Sequence, residues 1–478
     1  MSGGNNTLNE ETGPCHERMY RRKVRDLQRF SRRPFGLWVV GARPDTLAPA
    51  PRGIFESVRT QVVTKIEGGV KDLLFDFSVV DMPIRDMRLS TRITGLTGGG
   101  SDGWDILRKS RAMKANGHDV VELTIGEHDR RTETEIIEAM HQSALGGHTG
   151  YPDLPGTNAL RHAIAARVQE RTGVRTALEN VIVSPGGQSA LFAAHTAACD
   201  PGDTALFIDP YYATYPGTIR GSGAIAKAIP ARAEAGFQPN AADLAAAAVG
   251  ASSLLINSPN NPTGVVYSRD TMEAIAEVAE AHDLWVISDE VYDTQIWEGE
   301  HLSPRQLPGM AERTLVAGSL SKSHAMTGSR IGWLVGPAEA MEHVENLSTH
   351  TTYGVPGFIQ DAGLFALQQG AGFESRIAAP FKRRHAKVAG YLATRGLPVV
   401  PSRASMYLML DIRATGLSGE DFAHRLLDQH LIAVMPGESF GAAAAGHLRV
   451  ALTVDDARLM AAVATLADVV GALATAAA

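Results

Sequence analysis

Short apolar runs alternate with longer stretches of helical periodicity along most of this chain. The clearest runs typical of buried strands lie at 180–184, 204–208, 251–256, 284–287 and 314–317. Strands that alternate with helices predict an α/β fold with a mostly parallel central sheet. Because open sheets of this kind bind ligands at the carboxyl ends of their strands, polar residues that follow these runs should meet in one crevice.

A second, smaller α+β domain is predicted around this sheet. Helical stretches at 358–369 and 376–394 would connect the two domains, strand-like runs within 399–412 and 433–452 would form a small sheet, and an Ala-rich helix would close the chain. The expected divisions are an N-terminal extension (1–86), the N-terminal part of the small domain with an active-site lip (87–135), a large domain (136–355) and a C-terminal small domain (356–478).

Three motifs follow three successive strand-like runs in a fixed order. They are Ser258-Pro259-Asn260-Asn261-Pro262-Thr263-Gly264, Ser288-Asp289-Glu290-Val291-Tyr292 and Ser319-Leu320-Ser321-Lys322, with Arg330 eight residues beyond the lysine. The crevice would then hold an amide, a carboxylate, a phenol, an amine and a guanidinium. This set matches the needs of one cofactor, pyridoxal phosphate (PLP).

Lys322 is the candidate Schiff-base lysine, since a lysine amine becomes a useful nucleophile when burial lowers its pKa. Asp289 ends an apolar strand, where an unpaired carboxylate is costly; it would face a protonated pyridine nitrogen, or it caps the next helix. Tyr292 and Asn261 would donate to the ring's phenolic oxygen, although Tyr292 is also compatible with packing and Asn261 with an ordinary turn.

The cofactor phosphate has candidate partners in Gly187, Gln188, Ser319 and Arg330. The glycine pair Gly186-Gly187 opens a helical stretch, and helix N-termini bind phosphate through free N–H groups. Arg330 adds a forked donor set. A plain strand-to-helix turn would also explain the glycines.

Two further side chains are candidates for holding the cofactor ring and the substrate. Tyr212 follows a strand where its ring would stack on a planar cofactor or pack in the core. Arg449 lies in the apolar run His447-Leu448-Arg449-Val450-Ala451-Leu452 and needs a counter-ion, either a substrate α-carboxylate or a protein carboxylate.

Together these motifs closely resemble the class I/II aminotransferases of PLP fold type I, over roughly residues 87 to 470. Leu123-Thr124-Ile125-Gly126-Glu127 resembles the family's early glycine segment, which implies that Gly126 lines the substrate site. His148-Thr149-Gly150-Tyr151, followed by Gly156 and Leu160-Arg161, resembles its tyrosine segment. The resemblance implies a homodimer in which Tyr151 reaches the phosphate of the neighbouring subunit's cofactor.

By this resemblance the protein transfers an amino group from an L-amino acid to a 2-oxo acid in two half-reactions. The early segment departs from the family pattern, since His128 stands where proline is usual in Gly-x-Pro-Asp. Gln188 stands where relatives tuned for dicarboxylates often have lysine, and residues 348–360 contain no arginine. Neutral or aromatic donors are therefore expected to be favoured over aspartate.

Two other functions are compatible with the same motifs. A β-eliminating PLP lyase would release pyruvate and ammonia without needing a 2-oxo acid acceptor. A transcription regulator with an aminotransferase-like sensing domain would need an N-terminal winged helix, and residues 1–86 show no such pattern.

The composition of the chain favours small molecules over nucleic acid or membranes as binding partners. The 478 residues carry a net charge of −7, which gives no overall basic bias toward nucleic acid or anionic membranes. The two cysteines and 16 histidines form no metal-ligand pattern, so no metal is expected. No apolar run of membrane-spanning length and no secretory signal is recognised, and the cytoplasm is the expected location. Residues 1–17 are polar and are expected to be disordered. Met87 is the expected natural start, with residues 1–86 an upstream translation or a true appendage.

Overall fold

The computed structural model describes residues 62–66, 69–73, 88–99 and 103–477, and the chain divides by its contacts into Met1–Arg88 and Leu89–Ala478. In the first unit, strands β1 (Val62–Ile66) and β2 (Gly69–Leu73) pair as an antiparallel hairpin that the hydrophobic pattern did not predict. The predicted disorder at the N-terminus and the predicted start at Met87 lie outside the described residues and stay predictions.

The second unit contains two sheets and their surrounding helices. Its strands are β3 (Val121–Leu123), β4 (Val181–Ser184), β5 (Thr204–Asp209), β6 (Ile225–Pro230), β7 (Ala251–Asn257), β8 (Trp285–Asp289), β9 (Thr314–Ser319), β10 (Gly332–Val335), β11 (Tyr407–Asp411), β12 (Ile432–Pro436) and β13 (His447–Ala451). Its helices are α1 (Thr91–Thr94), α2 (Asp105–Ala115), α3 (Thr134–Leu145), α4 (Asn158–Thr172), α5 (Gly187–Ala198), α6 (Tyr215–Ser222), α7 (Ala241–Ala248), α8 (Arg269–Ala281), α9 (Leu320–Ser323), α10 (Ala338–Thr349), α11 (Gly357–Gln368), α12 (Gly370–Thr394), α13 (Gly419–His430) and α14 (Asp456–Ala477).

The large sheet has the strand order β4-β10-β9-β8-β7-β5-β6, and β10 alone runs against its neighbours. The predicted α/β fold with a mostly parallel sheet is confirmed. Asn257 at the end of β7 lies opposite Asp289 at the end of β8, and Asp289 lies opposite Ala317 in β9. The residues that follow these three strands therefore emerge at one edge of the sheet.

The small sheet has the order β11-β13-β12-β3, and β3 pairs in parallel with β12, with Val121 opposite Ile432. A strand from before the large sheet thus completes a sheet built from the C-terminal part of the chain. The segment that follows β3 is brought beside β13 in this way. The two segments carry Gly126 and Arg449, which are 323 positions apart in the sequence.

The last helix, α14, is long and apolar enough by composition to cross a membrane, which corrects the expectation that no run reaches that length. One face of it, with Leu459, Val463, Leu466 and Val470, is buried in the apolar core of the small sheet. The apolar face of α14 therefore packs against other parts of the same protein.

Candidate active site

Lys322 lies in the single-turn helix α9, directly after β9. The turn begins at Ser319, whose hydroxyl accepts a hydrogen bond from the Ser321 N–H at 3.1 Å, as expected of a helix N-cap. Burial lowers the pKa of the Lys322 amine, and its Nζ donates to the carbonyl oxygen of Gly126. The short turn therefore holds an amine in a buried place where deprotonation is easier than in water.

Asp289 ends β8 with its side chain buried, at 4% exposure. The Tyr215 hydroxyl donates to its Oδ2 at 2.6 Å, and the Val291 N–H donates to its Oδ1 at 3.3 Å. Burial raises the pKa of Asp289 to about 6, and these two neutral donors only partly offset it. The carboxylate therefore still lacks a cationic partner among the described residues.

Asn257 joins the first two motifs, a role that sequence reasoning missed. Its Nδ2 donates to the Asp289 carbonyl oxygen at 2.9 Å, and its Oδ1 accepts from the Asn261 N–H at 2.7 Å. The Asn-Pro-Thr-Gly turn is thus fixed to the strand that carries the buried carboxylate.

Three tyrosines surround the crevice beside Tyr292. Tyr292 and Tyr407 share a hydrogen bond between their hydroxyls at 3.0 Å, and burial raises the pKa of Tyr292 well above its usual value, which keeps its hydroxyl protonated. The ring of Tyr212 meets the ring of Tyr215 edge to face at 5.7 Å. Tyr407 and Tyr215 were not identified from the sequence, because each is one tyrosine of a strand or helix with no motif around it.

Gly126 must be glycine because Tyr407 occupies the space of a side chain. A Cβ built at Gly126 would overlap the Tyr407 hydroxyl and lie 3.2 Å from the Met406 sulfur. The chain after β3 therefore approaches β11 closely, and this approach places the Gly126 carbonyl against the Lys322 amine.

Arg449 is 1% exposed in β13 and has no salt bridge among the described residues. Its Nη1 donates to Asn261 Oδ1 at 2.8 Å and its Nη2 donates to the Thr124 carbonyl, while no described residue accepts from its Nε. The predicted alternative of a protein salt bridge is therefore wrong for the described part of the chain. The buried guanidinium is therefore available to pair with an anionic ligand.

Gly186 and Gly187 form a narrow cradle at the start of α5. Gly186 has φ 80°, and a Cβ on it would overlap the guanidinium of Arg330. A Cβ on Gly187 would lie 3.2 Å from Val291 Cγ1 and 3.7 Å from Ser319 Cβ. The structure thus brings Gly187, Ser319 and Arg330 together, as an anion-binding helix N-terminus requires.

Arg330 and Gln188 make other contacts with their side chains. Arg330 is exposed, and its Nη1 donates to the Thr327 carbonyl at 2.8 Å. Gln188 donates through Nε2 to the Thr218 hydroxyl at 2.6 Å and accepts at Oε1 from the Thr214 hydroxyl at 3.0 Å. Because the Gln188 side chain is engaged in these contacts, a ligand would bind Gln188 through its backbone N–H at the helix N-terminus.

Tyr151 lies apart from this crevice within its own chain. Its ring is 89% exposed and meets the ring of Tyr353 edge to face at 5.2 Å. No contact joins Tyr151 to Lys322, Asp289 or Arg330 among the described residues, so any role of Tyr151 at a cofactor requires a second chain.

The residues of the crevice fit the pyridoxal phosphate expected from the sequence. Asp289 offers a buried carboxylate whose hydrogen-bond partners are neutral, which suits a protonated ring nitrogen. The cradle at Gly187 leaves room that a side chain would fill, which suits a phosphate. Lys322 supplies a half-buried amine, and Arg449 a guanidinium that has no ion-pair partner among the described residues.

Comparison with known proteins gives a consistent picture. The sequence profile of the aminotransferase class I and II family matches residues 118–466. The chain is 42% identical to the arginine–pyruvate transaminase of Pseudomonas aeruginosa over 368 residues, covering 77% of this chain and 94% of that protein. It is 33% identical to the aspartate/prephenate aminotransferase of Thermus thermophilus over 367 residues, covering 76% and 94%.

Solved structures agree with these sequence relatives. The aspartate aminotransferase from Thermus thermophilus with maleate has a TM-score of 0.75 at 33% identity, covering 80% of this chain and 99% of that one. The aromatic aminotransferase from Pyrococcus horikoshii has a TM-score of 0.72 at 30% identity, covering 76% and 99%. At these identities, fold and family are both shared.

Proposed function

Because this chain belongs to the class I and II aminotransferase family, and so moves an amino group from an amino acid to a 2-oxo acid with pyridoxal phosphate, we propose that the crevice around Lys322 is where this reaction occurs. One observation carries the proposal. An amine, a carboxylate and a guanidinium (Lys322, Asp289 and Arg449) converge there, the first half-buried, the other two buried, and none ion-paired within the described residues.

Pyridoxal phosphate, when bound, supplies an electron sink that makes the α-hydrogen of an amino acid acidic. Lys322 would hold this group through its amine, and Nζ, once released by the donor's amine, would act as a general base on the α-proton. The lowered pKa of Lys322 supports this role, because a base must be neutral before it can accept a proton.

Asp289 would hold the cofactor's ring nitrogen in its protonated form, and Tyr215 orients the carboxylate through its 2.6 Å hydrogen bond. Tyr292 and Asn261 would donate to the ring's phenolic oxygen, and Tyr212 would lie against the ring. Gly187, Gln188 through its backbone, Ser319 and Arg330 would bind the phosphate.

Arg449 would bind the α-carboxylate of the donor, with Asn261 beside it and Gly126 lining the same space. The guanidinium already donates from Nη1 and Nη2 to Asn261 and Thr124, and its Nε has no acceptor among the described residues. A carboxylate would give the buried charge the counter-ion that the described protein does not supply.

The donor is proposed to be an amino acid without a side-chain carboxylate, with neutral or aromatic side chains favoured over aspartate. Gln188 replaces the lysine expected of a dicarboxylate enzyme, and residues 348–360 contain no arginine. Arginine and pyruvate belong in the first substrate panel, because the relative from Pseudomonas aeruginosa is named for them.

The working unit is proposed to be a soluble, cytoplasmic homodimer. Tyr151 supports the dimer, because its 89% exposed ring lies outside the crevice and is accessible to a second chain. The hydroxyl would then reach the phosphate at the neighbouring site.

An absorbance titration tests the proposal directly. Purified protein loaded with pyridoxal phosphate is titrated with a panel of amino acids and then with 2-oxo acids, beside Lys322→Ala and the exposed-lysine control Lys382→Ala. Particular amino acids are expected to change the absorbance spectrum of the bound cofactor, and a 2-oxo acid is expected to restore it. Both changes are expected for the wild type and for K382A only. Release of pyruvate and ammonia without an acceptor would favour the lyase, and unchanged conversion in K322A would refute the assignment.

A further inference from the structure

The segment Gly126–His128 holds Lys322 at two separate points. The carbonyl of Gly126 accepts a hydrogen bond from the Lys322 amine. The Nε2 of His128 lies 2.9 Å from the main-chain carbonyl oxygen of Lys322. Two residues of this short segment therefore contact the reactive end and the backbone of the lysine.

The Lys322 carbonyl needs such a partner because of where it lies. Helix α9 is a single turn that ends after Ser323, and the last carbonyls of a helix have no partner within it. Two side chains approach this oxygen, His128 at 2.9 Å and Gln295 Nε2 at 3.4 Å. Since the Gln295 contact is long, His128 makes the main hydrogen bond.

This geometry selects one form of the His128 ring. A carbonyl oxygen only accepts hydrogen bonds, so the proton must be on Nε2. Burial, and then the charge of Lys322, lower the pKa of His128 to about 4, which leaves the ring neutral at neutral pH. The imidazole also meets the ring of Phe381 in α12 edge to face, with centroids 5.0 Å apart, so packing helps to hold it in place.

We propose that His128 is a positioning residue for the reaction: its Nε2–H fixes the main chain of Lys322 so that the amine stays directed into the crevice. The inference rests on the proposed function of Lys322. His128 donates to the lysine backbone and does not act on the substrate itself. The hydrogen bond belongs to this chain's own sequence, because a proline at position 128 would have no side-chain donor.

Two substitutions separate the hydrogen bond from the volume of the ring. His128→Gln places an amide N–H near the position of Nε2, whereas His128→Leu fills the space without a donor. For H128L we expect kcat to fall at least about tenfold with KM changed less than about twofold, since a misdirected base slows chemistry more than binding. We expect H128Q to restore kcat to within about threefold of the wild type.

His195→Leu is the matched control. His195 is fully buried in α5, burial also lowers its pKa to about 4, and neither ring nitrogen has a hydrogen-bond partner in the described part of the chain. Loss of a buried histidine alone would therefore affect H195L and H128L alike. Equal kcat in H128L and H128Q, or equal losses in H128L and H195L, would overturn the proposal.

A measurement without turnover separates this inference from the proposed function. Nitrogen-15 NMR of the histidine side chains in the cofactor-free protein, assigned with H128Q, should show His128 protonated on Nε2 and bare on Nδ1 at pH 7. A proton on Nδ1 would overturn the inference and leave the proposed function standing. Failure of the wild-type absorbance titration would instead refute the function, whatever the tautomer of His128.

Discussion

The guanidinium carbon of Arg449 lies 4.3 Å from the centre of the Tyr407 ring, and the Phe440 ring lies at the same distance. Cation–π contact and two hydrogen bonds thus hold a buried charge that no described carboxylate neutralises. Aromatic rings stabilise the guanidinium less than a carboxylate would. The ion pair of Arg449 would therefore form only with the carboxylate of a ligand.

Arg449→Leu should weaken donor binding without unfolding the protein. KM for the amino donor is expected to rise about 100-fold, because a buried charge pair with the α-carboxylate is lost. The melting temperature of the cofactor-free protein should fall by no more than about 2 °C, since a buried unpaired charge is itself costly. Steady-state kinetics and thermal melts measure the two effects.

Arg384→Leu is the control for this prediction, since Arg384 is a buried arginine with protein partners. Its Nη2 lies 2.6 Å from Asp129 and its Nε lies 2.8 Å from Asp456. Breaking this pair should cost at least about 2 kcal/mol of unfolding free energy. If R449L were destabilised as much as R384L, Arg449 would be a structural residue and not a reserved ligand site.

Gly126→Ala should damage the crevice by overpacking. Its Cβ would overlap the Tyr407 hydroxyl, and relieving such a clash typically costs about 1–3 kcal/mol. Denaturant melts should show this loss, and Tyr407→Phe in the same chain should recover part of it by removing the hydroxyl oxygen. In α12, a Cβ added at Gly390 would meet no described residue within 4 Å apart from its own helix backbone and chain neighbours. Gly390→Ala should therefore be neutral or slightly stabilising. Equal stability of G126A and G390A would contradict the close approach.

Asp289→Asn should make the stability of the cofactor-free protein less dependent on pH. Burial raises the pKa of Asp289 from 3.8 to about 6. The folded state then binds a proton that the unfolded state has released, so stability falls as the pH rises from about 4 to about 6. Above pH 6, D289N should be more stable than the wild type by up to about 3 kcal/mol, and below pH 4 the two should match. Urea melts across this range measure the difference.

The same substitution should weaken cofactor binding, and Asp209→Asn provides the control. Burial also raises the pKa of Asp209 to about 6, and this carboxylate accepts from the Ala443 N–H at 3.2 Å. D209N should stabilise the protein in the same pH window but leave the dissociation constant for pyridoxal phosphate unchanged. D289N should raise that constant about 100-fold. Unchanged binding in D289N would exclude Asp289 as the partner of the ring nitrogen.

Tyr151 should act on the site of another chain. Lys322→Ala and Tyr151→Phe are each expected to be weakly active or inactive as homodimers. A heterodimer of the two would contain one crevice with both Lys322 and an intact Tyr151 from its neighbour. Mixing the variants under conditions that exchange subunits should therefore restore up to about a quarter of wild-type activity, by random pairing of subunits. No recovery, with exchange verified by mass spectrometry, would contradict the role of Tyr151.

The sequence by itself determined the sheet, the motifs and the chemistry of the cofactor. Strand-like runs and the residues that end them are local features, so their order along the chain places Asp289, Lys322 and Asn261 at one sheet edge. Gly187 and Ser319 follow from the same reasoning, because helix starts also have local signals. The family, and with it amino-group transfer, was identified from this ordered set.

Only the tertiary structure decided which side chains complete the crevice. Tyr407, Tyr215 and Asn257 act through partners that are distant in sequence, and no local pattern marks such a contact. The pairing of β3 with β12 brings the segment after β3 to Arg449 and Lys322, and this is how His128 meets the lysine backbone. Only the tertiary structure likewise shows whether a protein carboxylate lies beside Arg449. Periodicity follows the chain, whereas electrostatic and packing partners depend on how distant segments meet.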